Sequence, residues 1–331
     1  NNAQKRKGMM VLRRKIILGL CLSCATLVAH AHFLDRAPKD NPATSGSAVA
    51  FMSSTKTPLY QTALQARDHD TSATSVDFVR KTVKGGSQSP NKSRFFVKKE
   101  YLAEFIGTTL LMVFGLGANA SGTLLNSFQG VWQIASAWGV AVMIAVYCTA
   151  SVSGAHINPA VSFALATQQK KTGFTWKDFR GYATSQLLGG FTGAAIVYGL
   201  FVDFIRKDPA PVGSMKLAQI FACYPNAMLK GTMSAFTIEA AATFLLMFAI
   251  KAIGDPHNAA LRNKDLAPAF VGAAVALLCA LFGPLTQCCM NPARDLGPRL
   301  LLAAVGYGRT ALPGPGACAL AYLVGPALGA A

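Results

Sequence analysis

The tripeptide Asn-Pro-Ala occurs twice in this chain of 331 residues, at Asn158-Pro159-Ala160 and at Asn291-Pro292-Ala293. Each copy opens a short apolar segment that follows a longer apolar segment. Asparagine is a favoured helix N-cap, and proline at the first helical position loses no hydrogen bond because an N–H there would have no partner within the helix. Each tripeptide therefore predicts the start of a short helix with an asparagine side chain at its tip.

Two such helix ends that meet inside a membrane would form a pore with a definite chemistry. Their positive dipole ends would oppose cations and protons, while each asparagine amide could donate a hydrogen bond to an uncharged solute. Irregular backbone is tolerated at membrane depth only where it lines a cavity, so the carbonyls just before each motif are expected to accept hydrogen bonds from the solute. These carbonyls belong to Gly154, Ala155, His156, Gln287, Cys288 and Cys289.

Arg294 directly follows the second motif. An arginine inside a membrane segment is costly and usually functional, and its fork of donors suits solutes with hydroxyl or carbonyl oxygens. The alternative is a structural arginine tied to loop carbonyls.

The motifs occupy matching places in an internal duplication. Glu104, Thr108 and Met112 recur 135 positions later as Glu239, Thr243 and Met247, and Asn158 recurs 133 positions later as Asn291. So long a period indicates a duplicated domain rather than a short-repeat solenoid. We place the first repeat at about residues 100–205 and the second at about residues 233–331.

Composition favours a membrane protein, since 52% of residues are hydrophobic, only 14% are charged and mean hydropathy is +0.36. The net charge of +17 could suit nucleic acid, but no basic helix with interleaved aromatic residues is present, so we expect no nucleic-acid partner. Five of six apolar stretches approach the roughly 20 residues that a membrane-spanning helix needs, and the sixth is short. The stretches are Tyr101–Ala120, Val131–Val152, Gly181–Ile205, Met233–Gly254, Leu266–Leu285 and Ala311–Ala331.

Loop charges predict the orientation. Lysine and arginine are frequent before the first stretch and in the second and fourth loops, whereas residues 121–130 contain none. Positively charged loops face the cytoplasm, although the third loop, with four basic residues, is a partial exception. Three spans in each repeat require the second repeat to insert upside down, an arrangement that places a site at the midplane between the halves.

Residues 1–95 differ from the rest. A basic segment, an apolar run over Ile16–Val28 and the sequence Ala29-His30-Ala31 are typical of a signal or targeting segment. The remainder, rich in Ser, Thr and Ala, predicts a disordered N-terminal tail. The channel domain is predicted to cover residues 96–331.

The sequences around both motifs resemble the aquaporin, or major intrinsic protein, family. The resemblance rests on Ser153–Val161 (SGAHINPAV), on Gly283–Thr286 (GPLT) and on Met290–Pro298 (MNPARDLGP), and it extends from about residue 100 to the end. Asp295 and Arg299 resemble the aquaglyceroporin branch, typified by the bacterial glycerol facilitator. The family implies an all-α membrane protein of six transmembrane helices plus two re-entrant half-helices in an inverted repeat, assembled as a homotetramer in the lipid bilayer.

The resemblance also implies a narrow filter on the outer side of the motifs, at Trp138, Cys279, Cys288 and Arg294. Trp138 matches the bulky aromatic residue of glycerol facilitators, whereas Cys288 stands where they have phenylalanine. Cys279 replaces their glycine, or the histidine of water-selective members. We therefore expect glycerol, water and other small neutral solutes to pass, through a filter somewhat wider than that of a glycerol facilitator.

Glu104 and Glu239 are carboxylates at matching places within the first and fourth apolar stretches. Such residues often belong to proton relays, but their symmetry favours a scaffold role as acceptors for N–H groups of the two re-entrant loops. The resemblance supports this role, and Asp295 is assigned to the same scaffold.

The function expected is a passive channel that excludes protons and ions, in the plasma membrane or alternatively in an organelle membrane. No enzyme motif, cofactor site or metal site is expected. Three alternatives stay open: a water-selective aquaporin, an ion-coupled transporter that uses the two glutamates, and a junction or scaffold membrane protein with little flux.

Overall fold

The computed structural model describes residues 97–331, so the predictions for the N-terminal tail lie outside the described residues. The described part contains α-helices and two short 3-10 helices, without strands. In chain order the α-helices are α1 (Lys99–Leu125), α2 (Val131–Ser153), α3 (Pro159–Thr167), α4 (Gln169–Thr172), α5 (Trp176–Lys207), α6 (Met215–Phe221), α7 (Gly231–Gly254), α8 (Ala267–Thr286), α9 (Pro292–Ala304), α10 (Gly308–Ala311) and α11 (Ala319–Ala330). The 3-10 helices are Lys264–Leu266 and Pro315–Ala317.

Five helical segments are long and apolar enough to cross a membrane, namely α1, α2, α5, α7 and the segment Lys264–Thr286. A sixth span exists if Gly308–Ala317 and Ala319–Ala330, which meet at an angle of 58°, are counted as one. The predicted all-α architecture of six spans and two half-helices is confirmed. The last span, which the sequence predicted to be short, is bent by 58° between its two helical segments.

The two repeats use the same pairings. Helix α1 packs against α5 in the first repeat, and α7 packs against α11 in the second, while α2 and α8 pair across the centre. The half-helices α3 and α9 each contact both α5 and α11. Each half-helix is thereby wedged between the third spans of the two repeats.

Glycines at matching places allow these close pairings. A Cβ atom added to Gly189 of α5 would lie 2.6 Å from the carbonyl oxygen of Phe105 in α1. One added to Gly325 of α11 would lie 3.0 Å from the carbonyl oxygen of Phe236 in α7. Small residues at helix crossings are a known route to close packing in lipid, where the hydrophobic effect does not drive helices together.

We predict that Gly189→Ala destabilises the fold by about 1–3 kcal/mol, the usual cost of overpacking, because its methyl group meets backbone. Gly117→Ala in α1 is the matched control, since an added Cβ there meets nothing within 4 Å. Thermal unfolding of the purified protein in detergent measures both. Equal melting temperatures for the two variants would contradict the close packing of α1 on α5.

Candidate pore

Asn158 and Asn291 cap the two half-helices as predicted. The Asn158 side-chain oxygen accepts a hydrogen bond from the Ala160 N–H at 2.9 Å. The Asn291 oxygen accepts from the N–H groups of Ala293 at 3.0 Å and Arg294 at 3.3 Å. Pro159 and Pro292 each occupy the first turn, where a missing N–H leaves no donor unpaired.

The two capping amides also join the repeats to each other. The Asn158 Nδ2 donates to the carbonyl of Met290 at 2.8 Å, and the Asn291 Nδ2 donates to the carbonyl of Ile157 at 2.9 Å. The expectation that each NH₂ group serves the lumen is thus corrected in part, because the opposite loop uses one of its two N–H groups. The second N–H of each amide donates no hydrogen bond within the described residues.

The loops before the motifs have an unusual backbone, and it repeats with the same spacing of 133 residues. Ala155 and Ile157 have φ angles of 50° and 43°, and their counterparts Cys288 and Met290 have 46° and 51°. Residues other than glycine seldom adopt positive φ, least of all a β-branched residue such as Ile157. Such strain persists only where the surroundings enforce it, and it is common at functional sites.

The carbonyls of these loops fall into two groups. Tyr182 and Tyr322 donate to the carbonyls of Ser153 and Thr286 at 2.8 and 3.0 Å, and the capping amides take those of Ile157 and Met290. Among the described residues, no hydrogen bond within the protein reaches the predicted acceptor carbonyls of Gly154, Ala155, His156, Cys288 and Cys289, and that of Gln287 has only a 3.9 Å contact with the Cys223 thiol. These six carbonyls are the set that the sequence assigned to solutes.

Glu104 and Glu239, both fully buried, hold the two loops in place. Glu104 accepts from the N–H groups of His156 and Ile157 at 2.9 and 2.7 Å. Glu239 accepts from those of Cys289 and Met290 at 3.0 and 2.8 Å. The hydroxyls of Ser153 and Thr286 each donate to the same carboxylates at 2.6 Å.

The first repeat contains an additional polar cluster. The Gln186 amide donates to Glu104 at 2.8 Å and to the Ser162 hydroxyl at 2.9 Å, and the His156 ring nitrogen Nδ1 lies 3.1 Å from that same hydroxyl. The ring centroids of Phe174 and Tyr182 each lie 4.8 Å from that of the imidazole, and the two aromatic rings also contact each other. His156 is therefore held in place within its loop.

The four predicted filter residues, Trp138, Cys279, Cys288 and Arg294, line a single cavity of about 280 Å³. The Arg294 guanidinium carbon lies 4.4 Å from the Trp138 ring centroid, a geometry that favours a cation–π interaction. The Arg294 Nη1 donates to the Phe221 carbonyl at 2.9 Å. Both readings of Arg294 thus hold geometrically, because it faces the cavity and is also tied to a loop carbonyl.

Other residues of this cavity carried no signal in the sequence. Asn119 lies on its wall and accepts a hydrogen bond from the Trp138 indole at 3.0 Å. Lys216 also lines it and pairs with Asp208 at 2.7 Å, and this hydrogen bond lowers the pKa of the Asp208 carboxyl. The charge of Lys216 at the mouth is therefore partly balanced.

Asp295 holds the third loop in place and is not part of the solute path. Its carboxylate accepts from the Cys223 N–H at 2.7 Å and from the Arg299 Nε at 2.6 Å. Arg299, fully buried, also donates to the carbonyls of Ala311 and Cys223 and lies 4.6 Å from the Tyr224 ring centroid. That Arg299 joins two loops could not be predicted from its place in the sequence.

One group of potential metal ligands, Cys223, Cys289 and Asp295, has its ligand atoms within 4.8 Å of one another in residues 97–331. Both oxygens of Asp295 already accept hydrogen bonds, and both thiols are buried. We assign no metal to this group.

Comparison with known proteins agrees with this geometry. The model of the family described as "Major intrinsic protein" matches residues 91–331. The glycerol uptake facilitator protein of Pseudomonas aeruginosa is 40% identical over 220 residues, which are 64% of this chain and 77% of that protein. The propanediol uptake facilitator PduF of Citrobacter freundii is 36% identical over 225 residues, or 66% of this chain and 82% of that protein.

Among solved structures, the X-ray structure of the aquaglyceroporin from Plasmodium falciparum is similar, with a TM-score of 0.63 and 30% sequence identity. The similarity covers 70% of this chain and 91% of that chain. The family resemblance seen in the sequence is confirmed. This multi-pass membrane protein belongs to the major intrinsic protein family.

Proposed function

We propose that this protein is a passive membrane channel for glycerol, other small uncharged solutes and water, and that it excludes protons and ions. The observation that carries the proposal is the meeting of two capped helix N-termini, whose amides Asn158 and Asn291 bond reciprocally to the opposite loops. The similar proteins named for glycerol and propanediol uptake support this class of solute. They are named as facilitators, which suits a transport role rather than an enzymatic one.

The solute path is proposed to begin at the filter. Trp138 offers an apolar ring, and Arg294 offers the donors that Phe221 does not occupy. A polyol could place its carbon backbone on the ring and its hydroxyl oxygens on the guanidinium, after which the loop carbonyls accept its hydroxyl protons. The fixed positive charge of Arg294 and the two helix dipoles would repel cations along this path.

The two cysteines that line the cavity, Cys279 and Cys288, are proposed to set the width of the filter. Cys288 is smaller than the phenylalanine that the resemblance implies at this position. A wider filter would admit urea and other small neutral molecules as well as glycerol. A water-selective channel is the alternative, and it would require the two cysteines to close the space more tightly.

Glu104 and Glu239 are proposed to act as scaffold residues. Each carboxylate accepts hydrogen bonds from two backbone N–H groups and one hydroxyl, and these bonds leave it little capacity to act in a proton relay. The assembly is proposed to be a homotetramer in the plasma membrane, with one pore in each subunit.

Stopped-flow light scattering on proteoliposomes tests the function. We expect fast water efflux in a sucrose gradient and fast re-swelling in a glycerol gradient, both without accumulation against a gradient. Fast water flux without glycerol entry would favour the water-selective alternative. Flux no greater than in protein-free vesicles would favour a junction or scaffold role.

Cys288→Phe tests the width of the filter. The larger ring should narrow the cavity, so we predict that uptake of polyols larger than glycerol falls relative to glycerol uptake. Cys288→Ala is the comparison, because it keeps the small side chain and should keep the wild-type dependence of rate on solute size. A size profile that Cys288→Phe leaves unchanged would contradict the proposed role of Cys288.

Glu104→Gln tests the scaffold assignment. The amide cannot accept from the same number of donors, so two loop N–H groups would compete for one oxygen, and the loss should be at least about 1–3 kcal/mol of stability. We expect lower yield and a lower melting temperature, with an unchanged dependence of flux on pH in any protein that folds. A pH-dependent flux in the wild type that the variant abolishes would instead favour a proton relay.

A further inference from the structure

Asn119 lies in α1, outside both motifs and outside the four predicted filter positions. Its side-chain oxygen accepts from the Trp138 indole at 3.0 Å, and its Nδ2 donates to the Ile220 carbonyl at 3.1 Å. We propose that Asn119 is the positioning residue that sets the filter's selectivity, because it fixes the tryptophan and the arginine relative to each other. This inference rests on the proposed function.

The contacts of Asn119 are part of a closed ring of contacts that includes the filter residues Trp138 and Arg294. Ile220 is followed by Phe221, whose carbonyl accepts from Arg294 at 2.9 Å. The Arg294 guanidinium lies over the Trp138 ring at 4.4 Å, and the Trp138 indole returns to Asn119. The ring joins α1, α2, α6 and α9, so a movement of any one of these helices at this level would disturb the filter.

An amide is the side chain that the two partners of Asn119 require. The indole nitrogen can only donate, and the Ile220 carbonyl can only accept. A side chain between them must therefore accept on one side and donate on the other, and this requirement also settles which amide atom is the oxygen. Aspartate would set an oxygen against the carbonyl, and leucine would leave both partners unpaired.

The contacts of Trp138 and Arg294 determine which surfaces the filter presents to the solute. Because Asn119 occupies the only polar group of Trp138, the tryptophan presents an apolar surface to the cavity. Arg294 then supplies the directed donors beside it, with Nη1 committed to Phe221. This division into an apolar side and a donor side suits polyols better than water, because water gains nothing from contact with the apolar face of Trp138.

The test is Asn119→Leu in proteoliposomes, measured as the ratio of glycerol to water permeability. We expect the ratio to fall by about threefold or more, as the loss of one ordinary hydrogen bond would give. Thr184→Val is the matched control, because the exposed Thr184 hydroxyl bonds only to the Arg180 carbonyl of its own helix, and its ratio should be unchanged.

The same substitution in a Trp138→Phe background separates a positioning role from general loosening of the fold. Phenylalanine has no indole N–H, so Asn119→Leu should lower the ratio less in that background than in the wild type. An unchanged ratio in the single variant, or an equal fall in both backgrounds, would overturn the proposal. Asn119→Ala carries the test if the leucine variant does not assemble.

A spectroscopic measurement tests the ring without transport. The chain has three tryptophans, so Trp132→Phe with Trp176→Phe leaves Trp138 as the sole emitter. Loss of the indole hydrogen bond in Asn119→Leu should shift its emission to shorter wavelength, and an unshifted spectrum would contradict the contact. A wild type without glycerol flux would refute the proposed function, whereas this emission shift tests the contact separately.

Discussion

Two buried carboxylates make the rest of this structure possible. Non-helical backbone at membrane depth must have its N–H groups satisfied inside the protein, since lipid offers no partners. Glu104 and Glu239 meet that demand for both loops, and each also takes a hydroxyl at 2.6 Å. With the N–H groups turned toward the carboxylates, the intervening carbonyls are free to face the opposite way. The positive φ angles at Ala155 and Ile157, and at their counterparts, are the conformational cost of that alternation.

Both repeats hold their loop with a buried glutamate, but the residues around that glutamate differ between the repeats. Counted from Tyr182 and Tyr322, the position that corresponds to Gln186 in the second repeat is Pro326, which can supply no amide. Counted from the motifs, Ser162 of the first repeat corresponds to Asp295 of the second. The first repeat therefore fixes its loop with a cluster of neutral side chains, whereas the second uses an ion pair that also holds the third loop. The ion pair thereby connects the filter side of the pore to the segments before α11.

Much of the architecture could be predicted because it depends on local spacing. The Asn-Pro-Ala motifs predict N-caps and half-helices from neighbouring residues alone, and the duplication predicts that Glu104 and Glu239 act alike. The sequence did not reveal Asn119, Phe221 or Arg299 as parts of the site. Each acts through a partner far along the chain, as when Asn119 meets the carbonyl of Ile220, and a backbone carbonyl carries no residue-specific signal. The sequence showed that the last apolar stretch is short, but it did not predict the bend before α11.

The proposed filter consists of two residues held by hydrogen bonds, Trp138 and Arg294, and two small residues, Cys279 and Cys288. Trp138 and Arg294 are each held by a hydrogen bond, to Asn119 and to the Phe221 carbonyl respectively, so their positions depend on residues outside the four filter positions. Cys288 is a small side chain on a loop whose backbone is held by Glu239 through the next two residues, and Cys279 comes from α8. Substitution at either cysteine can therefore change the width of the cavity without disturbing the donors or the ring. We therefore propose that the two cysteines determine selectivity for solute size, whereas Trp138 and Arg294 keep the recognition of hydroxyl groups constant.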